Sequence, residues 1–127
     1  MKFSVEDEKL VGKLGYGDLP LSANDDEGYR PFQLLVSSIV GCSTIVYERI
    51  LKKQKIDYEI VDIEAEVERN EKEANRIEYL KITFKLKGDS LNLEKLEKNM
   101  EVASENCPMV RSVDKNIRIE KVIEIVE

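Results

Sequence analysis

The chain has 127 residues, 42% hydrophobic and 36% charged, with a formal net charge of −6. That length makes one domain, residues 1–127, with enough chain to bury a core without staples. The acid excess argues against binding nucleic acid, which needs a basic face.

The N-terminal segment alternates, with Met1, Phe3 and Val5 on one face and Lys2, Ser4 and Glu6 on the other. A charged turn and a second apolar run, Leu10, Val11 and Leu14, complete a two-stranded hairpin. Residues 18–30 carry turn formers and four acids, so a loop is expected there. Pro31 starts a long helix, because its missing N–H is harmless in a first turn. The helix stripe is Leu35, Ile39, Cys42, Val46 and Arg49, widened by Leu34, Val36, Val40 and Ile45 until residues 34–46 are apolar or small nearly all round. Such a helix is central in the fold or is covered by a partner subunit.

Residues 57–68 alternate, with Val61, Ile63, Ala65 and Val67 opposite Asp62, Glu64, Glu66 and Glu68. Residues 79–87 alternate again, with Leu80, Ile82, Phe84 and Leu86 inside and Lys81, Lys85 and Lys87 outside. Outer faces of opposite sign predict an antiparallel ribbon with cross-strand charge pairs. A second helix runs from about Asn92 to Asn106 on a stripe of Leu93, Leu96, Met100, Ala103 and Cys107, and Pro108 stops it. A final strand, 116–126, puts Ile117, Ile119, Ile123 and Ile125 on one face. The order β-β-α-β-β-α-β predicts an α+β fold dominated by antiparallel pairing.

No run of 18 apolar residues offers a membrane span. MKFSVEDEKL lacks the apolar core of a signal peptide, so a cytoplasmic location without a membrane partner is expected.

Histidine is absent. A Ser-His-Asp triad within one chain is therefore excluded, and the commonest zinc ligand is missing. No glycine-rich phosphate cradle occurs. Cys42 and Cys107 form neither a CxxC nor, by themselves, a zinc site, so no metal and no cofactor are expected. The cluster Asp25-Asp26-Glu27 lacks calcium-loop spacing and reads as a solvated loop.

Both cysteines fall in phase with their helix stripes, so each faces the core or a cleft beside it. Two readings stay open. Buried free cysteines often only fill space. Alternatively, one thiolate attacks an oxidant and the other resolves the sulfenic acid. A thiolate in apolar surroundings needs a cation or a helix N-terminus. Cys42 lies mid-helix, which leaves a cation, and without histidine that cation is Arg or Lys. Arg49 is about 10 Å away by helix rise. Arg30 and Arg111 come from loops and could swing in, although a solvated surface position is the commoner outcome for an arginine.

Arg30-Pro31-Phe32-Gln33-Leu34-Leu35, followed by Val40-Gly41-Cys42, resembles the central helix of the OsmC/Ohr family. Glu105-Asn106-Cys107-Pro108-Met109-Val110 resembles that family's second motif, a Cys-Pro after a helix. The resemblance spans nearly the whole chain. It implies an intertwined homodimer with long central helices, and an active site at the subunit interface. It also implies reduction of small organic hydroperoxides in oxidative-stress defence. Cys42 would be the peroxidatic thiol and Cys107 the resolving one. Arg30 or Arg111 would steady the thiolate, and a dithiol such as a lipoyl group would reopen the disulfide. The family's peroxidase branch has a glutamate directly after the helix-starting proline; this chain has Phe32. The competing readings are an OsmC-like module binding a small ligand without catalysis, and a structural dimer that keeps its thiols.

Overall fold

A computed structural model describes all residues, 1–127. The chain divides into two units, Met1–Ser37 and Ser38–Glu127. The fold is α+β, with two three-stranded sheets and three helices.

In the first unit, β1 (Lys2–Glu6), β2 (Lys9–Lys13) and β3 (Asp18–Leu21) form an antiparallel sheet in that order. The expected hairpin is β1–β2, with Glu6 opposite Lys9 and Asp7 at φ 49° in the two-residue turn. Gly12 sits opposite Phe3, and a Cβ there would come within 3.1 Å of the Phe3 ring. The expected loop 18–30 yields its first four residues to β3, which pairs Leu10 with Leu21 and Lys13 with Asp18. Proline is tolerated in β3 because that strand is an edge. The apolar face read for β1 lies open: Phe3 is 55% and Val5 82% exposed.

Helix α1 (Pro31–Lys53) begins at the expected proline. In the second unit its buried line is Ile39, Ser43, Tyr47 and Leu51, one position round from the stripe read in the sequence. The tyrosine hydroxyl and Ser43, both polar by composition, go inward because partners await them. Tyr47 Oη donates to the Leu96 carbonyl at 3.1 Å. The helix ends on Lys55 in the left-handed region (φ 58°), and the Ile56 N–H returns to the Leu51 carbonyl. By length and composition α1 could cross a membrane: it has 23 residues and a mean hydropathy of 1.5 in its best window. The core helix of a folded domain meets the same criterion, because Ser, Gly and Thr interrupt the apolar run without lowering its average much.

Strands β4 (Glu59–Asn70) and β5 (Arg76–Lys87) pair antiparallel, and β6 (Arg118–Ile125) lies parallel on the far side of β5. A parallel neighbour needs a long crossover. Helices α2 (Leu93–Glu105) and α3 (Pro108–Val113) supply it. The central strand behaves as read, with Leu80, Ile82, Phe84 and Leu86 fully buried. The charge pairing also holds: Lys85 lies 2.9 Å from Glu64 and 3.9 Å from Asp62. Strand β4 differs from its expected pattern. A register shift between Ile60 and Asp62 leaves Val61 50% exposed, and Ala65 is exposed too.

Asn92 caps α2, its side chain accepting from the Lys95 N–H at 3.0 Å. Leu96, Met100 and Ala103 are buried, and α2 packs on β6. Pro108 does stop α2, but it also opens α3, which the sequence reading missed.

Candidate functional site

Two helices deliver the sulfurs. Cys107 ends the buried line of α2 and is the N-cap residue of α3. Its side chain is fully buried. Cys42, on α1 beside the buried line, is only half-buried. Both are free thiols, and their ionisation is coupled. Ser43 Oγ lies 3.9 Å from Cys107 Sγ. A cap residue ordinarily accepts from the amides two and three places on. Cys107 makes no such side-chain cap bond; the Met109 and Val110 amides instead act electrostatically, favouring the thiolates of Cys42 and Cys107 respectively. The sequence reading assigned Cys42 no helix N-terminus because it considered only the cysteine's own helix. The fold supplies first-turn amides from α3.

Burial pushes the Cys42 thiol up from its ordinary pKa, and the hydrogen bond it gives to Cys107 pushes it further. Burial also acts against a Cys107 thiolate. That penalty is outweighed by the hydrogen bond from Cys42, the Val110 N–H, Ser43 and the positive charge of Lys121, so Cys107 lies below its ordinary value. Within the coupled pair, Cys107 is the more acidic sulfur.

The cation acting on both sulfurs is Lys121, on β6. Its Nζ donates to Ser104 Oγ at 2.8 Å. The Ser104 carbonyl in turn accepts the Cys107 N–H at 3.4 Å. Burial lowers the Lys121 pKa, while the two cysteines raise it back in part. The residue was legible in principle. Lys121 is the charged position in the otherwise apolar register Ile117, Ile119, Ile123, Ile125.

The expected arginines are placed differently. Arg111 Nε lies 3.3 Å from Asp114, and its side chain is 62% exposed. Arg30 belongs to the first unit, where its guanidinium is 4.0 Å from Asp25 and 5.0 Å from the Phe32 ring centroid. The aromatic ring at the family's glutamate position therefore still engages an arginine, through its face. No group of three or more His, Cys, Asp or Glu side chains is placed to hold a metal ion.

A cavity of about 660 Å³ opens between α2, α3 and β6. Apolar side chains such as Met100 and Ile123 line it together with carboxylates and the three cations Arg111, Arg118 and Lys121. Val110 and Lys121 belong to both the cavity wall and the sulfur site.

Solved structures share this fold. A hypothetical protein from Aquifex aeolicus superposes with a TM-score of 0.81 at 22% identity, covering 98% of this chain and 93% of that one. The OsmC-like protein from Mycoplasma pneumoniae gives 0.79 at 12% identity, covering 100% and 99%. An organic hydroperoxide resistance protein from Elizabethkingia anophelis gives 0.72 at 17% identity, covering 99% and 97%. At these identities the likeness is one of fold. No curated protein sequence matches the chain. The OsmC-like protein family model matches residues 24–121. With the paired thiols, the α1–α2 crossing and that match together, the chain belongs to the OsmC-like protein family.

Proposed function

We propose that the protein is a cysteine-based peroxidase for small organic hydroperoxides, with Cys42 as the attacking thiol and Cys107 as the resolving one. The observation carrying this reading is the convergence of two free thiols 65 positions apart, one half-buried and one fully buried: Ser43, next to Cys42 on α1, lies 3.9 Å from the Cys107 sulfur. Peroxide reaches the half-buried sulfur. As Cys42 Sγ attacks the terminal peroxide oxygen, its proton passes to the coupled Cys107 sulfur. The O–O bond breaks, the sulfur becomes a sulfenic acid, and the alkoxide leaves and takes a proton from solvent as the alcohol. Cys107 Sγ then attacks Cys42 Sγ; the S–S bond forms and hydroxide departs with the thiol proton as water. A dithiol of the lipoyl type reduces the disulfide by exchange and is itself oxidised to its cyclic disulfide.

Structural relatives named for hydroperoxide resistance support this reading. We further propose that the working form is a homodimer, as the exposed apolar side chains Ile45 on α1 and Phe3 and Val5 on β1 favour. Arg111, on the cavity wall, is proposed as a cation that steers substrate, and Arg30 as a second cation supporting the thiolate. The decisive experiment treats the reduced protein with cumene hydroperoxide. Two thiols per chain are lost in the wild type and none rapidly in Cys42→Ser. Consumption of both thiols at the rate of ordinary free cysteine refutes the peroxidase.

A further inference from the structure

We propose that Lys121 is the positioning residue that keeps one sulfur of the Cys42–Cys107 pair ionised, so that the site draws its cation from the last strand. The inference rests on the reading of these cysteines as a working thiol pair. Three observations carry it. Lys121 makes none of the chain's ion pairs within 4.0 Å, so its charge is not neutralised by a contacting carboxylate. Its ammonium is fixed at 2.8 Å to Ser104, whose carbonyl accepts the Cys107 N–H, which ties the cation to the turn that carries the sulfur. It also occupies the inward register of β6 amid isoleucines, where a lysine without a counter-charge is unfavourable. A neighbouring thiolate offsets that cost, and the ammonium in return favours the thiolate.

The other charged groups on this cavity bear on the pair less directly. Arg111 and Asp114, in and just after α3, are paired to each other; Glu97, Glu101 and Glu105 on α2 line the wall without an ion pair to Lys121, and Arg118 on β6 lies over the Tyr79 ring. The low dielectric of a half-buried site makes the nearest unneutralised charge dominant.

The test is the pH titration of thiolate ultraviolet absorbance in the reduced wild type, Lys121→Met, Lys121→Gln and Lys121→Arg. Circular dichroism selects the variants that fold. The expected result is that the neutral variants ionise at higher pH and show several-fold less thiolate near neutrality. Lys121→Arg should follow the wild type, a rescue that a purely structural role would not give. Ser104→Ala, which keeps the charge but frees the ammonium, should fall between and serves if neither neutral variant folds. Superimposed profiles for wild type and the folded variants overturn the inference. Peroxide consumption is measured alongside. If the profiles shift but the wild type does not consume cumene hydroperoxide, the peroxidase fails and the role of Lys121 stands. If peroxide is consumed and the profiles coincide, only the role of Lys121 fails.

Discussion

Ser43 and Cys107 face each other across the α1–α2 crossing with their side-chain oxygen and sulfur 3.9 Å apart, both fully shielded from solvent. A hydroxyl in that position can turn its proton toward a thiolate or accept from a thiol, so it serves both protonation states of the buried sulfur. Ser43→Ala removes this contact with little change in volume. The expected outcome is a shift of the thiolate titration to higher pH, with thermal stability close to wild type. An unchanged titration would show the hydroxyl to be a bystander.

Cys107→Ser abolishes resolution and also slows attack, since the sulfur that takes the Cys42 proton is gone. With the second sulfur gone, the Cys42 sulfenic acid has no thiol to condense with. After one equivalent of cumene hydroperoxide, mass spectrometry should find a dimedone adduct on Cys42 and no disulfide. Wild-type protein should show the disulfide and little adduct.

Alkaline pH should unfold the protein partly through Tyr58. Its hydroxyl donates to Glu48 Oε1 at 2.9 Å. Burial, then that hydrogen bond and the carboxylate charge, push its pKa up from 10.0 to about 12. The folded state therefore holds this proton while the unfolded chain loses it. The stability from Tyr58 is fully present below about pH 10 and is lost as pH rises through about 12. Guanidinium unfolding at several alkaline pH values should give a shallower decline for Tyr58→Phe than for wild type. Buried Tyr47 acts in the same direction, so the difference between the two proteins is the quantity to read.

Lys55 terminates α1 at φ 58°, a conformation that strains a side-chain-bearing residue. Lys55→Gly should stabilise the protein by about 0.5–1 kcal/mol, measured by chemical denaturation, because glycine takes that conformation without a Cβ penalty.

Tyr47 and Phe84 stack tilted at 5.9 Å between centroids, and both are fully buried. Phe84→Ala should cost about 3–5 kcal/mol through the cavity it leaves. Tyr47→Phe should cost only about 0.5–1.5 kcal/mol, the net value of one hydrogen bond. Thermal or denaturant unfolding of the two variants should preserve that order.

Local chemistry was enough to place most elements. Pro31 and Asn92 mark their helix starts because they answer the unsatisfied amides of a first turn. The β5 core and the Lys85–Glu64 pair follow from alternation alone, since a strand sends successive side chains to opposite faces. The two cysteines were legible as candidates from their phase with apolar stripes and from the motifs around them. Their convergence could not be read, because it depends on how α1 packs along α2, as through Tyr47–Leu96 and Gln54–Asn99. The same holds for the cation. Arginines near the motifs drew attention by proximity in sequence, whereas Lys121 arrives from a strand that lies parallel to β5 after a long crossover. Sequence by itself determined most of the elements, β3 and α3 excepted, because capping and periodicity act over a few residues. Tertiary structure alone decided which sulfur is buried, which amides face it and which charge sits beside it, because electrostatics follows distance through space and not along the chain.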